Sequence, residues 1–178
     1  NHAWKLLDAS GTWEEWLQCN WPPFESDAEF GPTLMLVALG ELREITVLED
    51  RDIKAIEKLI KYLHENPPLS LHAKVMRLWA AMSWPKLVPD KEGSEWLQEL
   101  LSAQIEDGGW SMASLSGPAW KRDGGEGQTT TSEAYPTAFV TYVLLQIGFA
   151  PTDAVVGKGL SWLREHQCED GNWFTRSP

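Results

Sequence analysis

Three stretches of the chain, residues 31–42, 72–84 and 135–148, are apolar over most of their length. The first contains Thr33-Leu34-Met35-Leu36-Val37-Ala38-Leu39, which leaves no polar face at helical period. Helices that are apolar nearly all round are buried on most sides. Each stretch is followed by an amphipathic one, at residues 51–65, 92–104 and 153–167. In the first of these Ile53, Ile56, Leu59, Ile60 and Leu63 recur at helical spacing, with Lys54, Glu57, Lys58 and Lys61 opposite. That is one buried stripe and one wet face. The pattern predicts three helical hairpins, each pairing an inner helix with a half-wet outer one. Glu57 and Lys61 stand in the favourable order for an ion pair on the wet face, worth on the order of a few tenths of a kcal/mol.

The hairpins repeat in register, because 32 residues separate His72 from Gln104 and 32 separate Tyr135 from Gln167. The first hairpin is worn at its end, where Asn66-Pro67-Pro68 replaces the Gln and Gly turn of the other two. Upstream, Thr12-Trp13-Glu14-Glu15 has the form of a capping box and predicts a short helix through Gln18, the outer helix of a truncated earlier unit. Residues 111–132 are rich in Gly, Ser and Thr, include Asp123-Gly124-Gly125-Glu126-Gly127, and read as a long loop. Loops of that length are functional or mobile. The domain reading is one domain over residues 1–178, with 1–29 as an extension or truncated repeat and 30–178 as the three hairpins. A pattern that opens in mid-repeat at Asn1 and stops at Thr175-Arg176-Ser177-Pro178, just after a turn, is expected of a segment of a longer chain.

Composition adds two constraints. Trp occurs 11 times against 5 Phe and 3 Tyr, the reverse of the usual order, so something in the repeat requires indole. The formal charge of -11 argues against a phosphate-tracking surface for nucleic acid and against a polybasic hold on anionic lipid. A neutral or apolar ligand fits better. The two cysteines, Cys19 and Cys168, are too few for a disulfide framework. The longest apolar run, residues 34–39, is too short to span a bilayer, and no signal-peptide pattern is read. The compartment stays open.

Residues 158–173, Lys158-Gly159-Leu160-Ser161-Trp162-Leu163-Arg164-Glu165-His166-Gln167-Cys168-Glu169-Asp170-Gly171-Asn172-Trp173, follow a pattern that also occurs in part further up. It reads basic, small, two free, aromatic, aliphatic, three free, Gln, three free, Gly, one free, Trp. The second copy runs from Leu100 through Gln104 to Gly108, Gly109 and Trp110, with Glu99 at the aromatic position. Gly108 and Gly171 sit just past an outer helix, where a left-handed residue turns the chain without a Cβ clash. Asp107 and Asp170 are placed to accept backbone amides within the turn.

This pattern resembles the QW motif of the squalene and oxidosqualene (triterpene) cyclases. Ala134-Tyr135-Pro136-Thr137-Ala138-Phe139, echoed by Gly31-Pro32-Thr33, is similar to the start of inner helices in that family. The resemblance covers the chain from about Phe30 onward. It implies an all-α fold, the α/α toroid of inner and outer helices also found in prenyltransferases. There the Gln closes its helix and the Trp stacks on it, tying neighbouring outer helices together; the roles carry over to Gln104 with Trp110 and to Gln167 with Trp173. Lys158, Gly159 and Trp162 complete the motif. The hairpins present would make only part of such a toroid, the remainder coming from the parent chain or a partner.

The resemblance also says what chemistry to look for. Cyclases of this kind protonate an alkene or epoxide with an Asp in an Asp-x-Asp-Asp or Asp-Cys-Thr-Ala motif, and neither motif is present. Catalytic residues are therefore unassigned. Asp27, within Glu25-Ser26-Asp27-Ala28-Glu29, is a substrate-cavity candidate, against a loop or helix N-cap role. Tyr135, Phe139 and Tyr142 form an aromatic stripe at helical spacing that would line a cavity for a carbocation or belong to the core. Trp79 and Trp84 carry the same two readings. Prenyltransferases bind zinc through Asp, Cys and His, but His166, Cys168 and Asp170 lack that family's Asp-Cys pairing and distant His. Neither a metal nor a cofactor is expected. The functional expectation is cavity wall and QW braces for a polyprenyl substrate such as squalene, in an isomerase if active. The alternative is a non-catalytic toroid used for binding or scaffolding in a larger protein, favoured by the missing acid motif and the worn first repeat. Fit to a peptide-binding helical solenoid is poor, because such repeats do not carry the full pattern. Association with a membrane, known for cyclases, would need an apolar patch, and no basic interfacial helix is read.

Overall fold

The computed structural model describes residues 2–13, 27–43, 45–117, 120 and 127–174, and every regular element among them is helical. The fold class is all-α. The elements are α1 (His2–Leu6), α2 (Phe30–Leu42), α3 (Asp50–Glu65), α4 (Leu71–Ala81), α5 (Asp90–Ser102), α6 (Met112–Leu115), α7 (Ala134–Gln146) and α8 (Ala154–Glu165). The three expected hairpins are α2 with α3, α4 with α5, and α7 with α8.

Helix ends follow local chemistry. At the start of α3 the Glu49 amide donates to Asp52 Oδ2 at 2.9 Å, and at the start of α4 Ser70 Oγ accepts the Ala73 amide at 3.0 Å. Gly148, at φ 104, ends α7 in the left-handed region. The second inner helix stops at Ala81 rather than reaching Trp84. Pro85 disfavours helical geometry at Trp84, whose indole instead donates to Leu36 O at 2.8 Å. On the wet face of α3, Lys61 reaches Glu65 at 3.8 Å rather than pairing with Glu57.

The apolar helices form one row, with α4 packed between α2 and α7, and the amphipathic helices each lie against their hairpin partner. Two cores result. Leu36, Leu59, Leu63 and Met76 fill the one among α2, α3 and α4; Val75, Leu100, Trp110, Val140, Leu144 and Val156 fill the one among α4, α5, α7 and α8. Trp79 and Phe139 pack against both. Although α2 and α7 are apolar all round, each leaves one stripe bare: Leu34, Ala38 and Glu41 on α2, and Ala138, Tyr142 and Gln146 on α7.

One expectation is corrected: residues 111–132 are not loop throughout. Ser111 Oγ accepts the Ser114 amide at 3.2 Å and caps α6, which buries Met112 and Leu115, and Trp120 is also buried. Asp123, Gly124, Gly125 and Glu126 lie outside the described residues. The expected capping box of Thr12 with Glu15 and the short helix through Gln18 fall on residues outside the described set; the Thr12 hydroxyl donates to Ala28 O at 3.1 Å. The described helix at this end is α1, which precedes Thr12.

Candidate functional site

The two Gln-Gly-Trp turns match bond for bond. After α5, the Ile105 amide donates to Gly109 O (2.9 Å), the Gly108 amide to Ile105 O (2.9 Å), Gln104 Nε2 to Gly108 O (2.9 Å), and Trp110 Nε1 to Leu100 O (3.0 Å). After α8, the Cys168 amide donates to Asn172 O (2.9 Å), the Gly171 amide to Cys168 O (2.9 Å), Gln167 Nε2 to Gly171 O (2.8 Å), and Trp173 Nε1 to Leu163 O (2.7 Å). Asp107 and Asp170 accept the Gly109 and Asn172 amides, as their turn positions require. The Trp acts as a donor that closes a carbonyl near the end of its own helix, where no amide follows to do so.

A third copy was not legible. After α1 the Asp8 amide donates to Thr12 O at 3.1 Å, the Gly11 amide to Asp8 O at 3.4 Å, and Gly11 has φ 96, the same value as Gly108. Trp13 fills the Trp position and is buried. Leu7 stands where the Gln belongs, which hides the motif. Asp8 does the closing instead: Oδ1 accepts the amides of Ser10, Gly11 and Thr12 and the Ser10 hydroxyl. Burial pushes the Asp8 carboxyl up, but these donors together outweigh it and hold the pKa below the ordinary Asp value. The Gly-x-Trp spacing after an apolar segment was the one signal available.

Two of the turns, those of Gly11 and Gly108, are seated on a later amphipathic helix. A Cβ on Gly108 would lie 2.8 Å from Lys158 O, and one on Gly11 would lie 2.8 Å from Lys58 O. Gln104 Nε2 also donates to Val155 O in α8 at 2.8 Å, and Trp162 Nε1 donates to Asp107 Oδ2 at 3.1 Å. Asp107 is pushed up by burial, yet the Ser132 hydroxyl, the Gly109 amide and the Trp162 indole hold it below its ordinary pKa. A Cβ on Gly159 would meet Thr141 Oγ1 at 2.4 Å and Trp110 Cζ3 at 3.3 Å. The motif therefore has two functions. Its first half, Lys158, Gly159 and Trp162, receives the preceding turn; its second half, Gln167, Gly171 and Trp173, forms the next one.

This division explains the incomplete copies. On α3, Lys58, Tyr62 and Leu63 stand where α8 has Lys158, Trp162 and Leu163, and α3 receives the turn of Gly11. On α5 the receiving positions hold Glu95, Trp96 and Glu99. The helix before it, α3, ends in Asn66-Pro67-Pro68 and presents no turn to receive. There Arg77, buried on α4, donates through Nη1 to Leu63 O at 2.7 Å and through Nη2 to Asn66 O at 2.6 Å, and also pairs with Glu29. Leu63 O is the counterpart of Leu100 O and Leu163 O, so a guanidinium answers the carbonyl that an indole answers in the other hairpins. Glu29 Oε1 accepts the Leu69 amide at 3.2 Å. Burial lifts the Glu29 pKa, with Arg77 pulling it the other way.

The substrate-cavity candidates divide into two groups. Tyr135 and Phe139 surround His72: the His72 and Phe139 rings stack at 4.6 Å, Trp120 lies at 5.2 Å, and His72 Nε2 is 2.8 Å from the Tyr135 hydroxyl. Burial depresses the His72 pKa to about 3 and raises that of Tyr135, so both are neutral at pH 7. Asp27 joins this group through Trp120, whose indole donates to Asp27 Oδ2 at 3.1 Å. The space left beside Asp27, Phe30 and His72 is about 10 Å³, room for one water at most. Trp79 and Tyr142 form the other group, an edge-to-face pair with centroids 5.2 Å apart, toward the far ends of α4 and α7. A cleft of about 40 Å³ beside Trp79 is lined by Val37, Glu41, Met82, Ser83 and Gln146. Trp84 belongs to neither group, and Glu25 and Ser26 are outside the described residues.

No three His, Cys, Asp or Glu side chains converge on a metal position among the described residues. The His166 ring stacks on Trp162 at 4.0 Å, and the Cys168 thiol is exposed. Among the described residues no helix is long and apolar enough to cross a membrane. No protein-family model matches the chain, and no curated protein matches it either. The motif alone carries the family resemblance.

Proposed function

We propose that this chain is one side of an α/α toroid resembling the terpenoid cyclases, with its turns acting as braces and its row of apolar helices acting as wall for a polyprenyl substrate. The observation that carries this reading is the bare stripe on the row. Leu34 and Tyr142, both on that stripe, are about half exposed on helices that otherwise bury their surface. An apolar stripe left bare on buried helices calls for an apolar occupant. Such a wall excludes water, and the rings of Trp79 and Tyr142 supply π faces that stabilise a passing cation. The proton that starts a cyclisation would come from elsewhere in the toroid, because here Asp27 accepts an indole and Glu29 is engaged by Arg77.

That engagement of both carboxylates favours a second reading, a toroid domain that binds or scaffolds without turning over substrate. Incubation of the full-length protein with squalene, followed by mass spectrometry of extracted lipids and a binding assay, separates the two. A cyclic product supports the first reading. Saturable binding, weakened by Tyr142→Ala and giving no product, supports the second. Neither binding nor product would remove the polyprenyl wall altogether.

A further inference from the structure

The bare stripes on the row of apolar helices change character along their length. On α2 the exposed positions run from Leu34 through Ala38 to Glu41, and on α7 from Ala138 through Tyr142 to Gln146, so both tracks pass from apolar to polar. The cleft of about 40 Å³ joins the two tracks on one face, because Glu41 and Gln146 line it together with Trp79 of α4. Ser83, just past the end of α4, adds a hydroxyl. At the opposite end of the row Trp120 packs on His72 and bonds Asp27, and the space beside them holds one water at most. The wall is therefore apolar along its middle and polar at one open end.

We infer that this cleft is a head-group site, and that the occupant of the wall is an isoprenoid whose polar head donates hydrogen bonds and carries no negative charge, a hydroxyl or an ammonium. The inference rests on the reading of the row as a wall and adds the chemistry of one end of its occupant. A carboxylate such as that of Glu41 only accepts, and the Ser83 hydroxyl and Gln146 carboxamide can turn acceptor atoms to the same donor. Electrostatics disfavours an anion here. Helices α2, α4 and α7 end at Leu42, Ala81 and Gln146, so three negative helix ends converge on the cleft where Glu41 stands. Arg43 does not line the cleft; it donates to Ser83 O at 2.7 Å and lies over the Trp84 ring at 5.2 Å. A diphosphate would face the carboxylate and the three helix ends with no basic side chain among the lining residues. A pure hydrocarbon would take water from the polar groups and return no hydrogen bond. The Trp79 and Tyr142 rings, paired at 5.2 Å, add π faces that favour an ammonium further. From Leu34 to Glu41 the track is about 10 Å long at 1.5 Å per residue, so the head sits at one end while the chain lies along the wall.

The test measures equilibrium binding of radiolabelled geranylgeraniol, geranylgeranylamine, geranylgeranyl diphosphate and the hydrocarbon of the same length to the full-length protein, and to its Glu41→Lys and Gln146→Leu variants. The alcohol or the amine should bind about 10-fold more tightly than the hydrocarbon, with the diphosphate weakest of the four. Whichever of the two binds better names the head. Glu41→Lys, a change at an exposed position, should abolish that preference and admit the diphosphate, and Gln146→Leu should narrow the gap between alcohol and hydrocarbon. A hydrocarbon bound as tightly as the alcohol and the amine, a diphosphate bound best, or a preference unchanged in Glu41→Lys overturns the head-group site and leaves the wall standing. Binding of none of the four overturns the wall, and the head-group site with it.

Discussion

The end of α3 and the end of α5 meet the same need with different chemistry. Both leave a carbonyl open, Leu63 O and Leu100 O. At α5 a Gln, a left-handed Gly and a Trp fold back to satisfy it with a neutral indole. At α3 the chain runs straight on through Pro67 and Pro68, and a guanidinium arrives from the next helix. The indole needs only the correct turn. The guanidinium brings a charge into the core and needs Glu29, which in turn takes up the Leu69 amide. A local brace can be repeated wherever the motif is repeated, whereas the ion pair depends on residues 48 positions apart being brought together.

The largest effect should come from breaking the ion pair on one side. Arg77→Met should cost about 3–5 kcal/mol in urea unfolding, because it leaves a buried carboxylate uncompensated, and adding Glu29→Gln should recover part of that loss. Trp110→Phe, which removes one hydrogen bond and part of a buried ring, should cost about 1–3 kcal/mol. If the order is reversed, the guanidinium is not the counterpart of the indole. Acidity gives a second contrast. The folded chain holds His72 near pKa 3, below the unfolded value near 6.5, so the unfolded state binds the proton first and stability falls as pH drops below about 6.5. Between pH 7 and pH 4.5 the loss should be roughly 2 kcal/mol, absent in His72→Phe. Asp107 runs in the other part of the scale, its contribution fading only as pH falls below the usual carboxylate range.

The glycines refine the comparison further. Gly108→Ala meets both a positive φ and the Lys158 carbonyl, and should destabilise by about 2–4 kcal/mol. Gly171→Ala meets only the positive φ, so about 1 kcal/mol is expected. Equal losses at the two sites, measured by thermal unfolding, would mean that the Lys158 contact contributes nothing. Of similar size to the Gly171 effect is Trp162→Phe, which removes the indole donor from a half-exposed Asp107 and should cost about 0.5–1.5 kcal/mol.

The helices and the two Gln-Gly-Trp turns were legible because they depend on spacing within one segment. Residues 53–63 show their wet and dry faces directly, and Gln167 to Trp173 is closed by bonds that reach no further than Leu163. The first turn escaped notice because Asp8 replaces a Gln with a different set of acceptor bonds. The aromatic stripe of Tyr135, Phe139 and Tyr142 read as one surface, yet Tyr135 and Phe139 turn to His72 while Tyr142 meets Trp79. Helical spacing places side chains on a face; it does not say which neighbours lie against each part of that face.

The sequence by itself determined the helical class, the pairing into hairpins, and the places where the chain turns, because helix period, capping and left-handed glycine are local properties of the backbone. Only the tertiary structure decided what each turn is for. That Gly159 is small to admit Trp110, that Arg77 stands in for an absent indole, and that Trp173 remains half exposed all depend on which helix lies beside which. Contacts between distant segments form through packing, and packing has no period to be read along the chain.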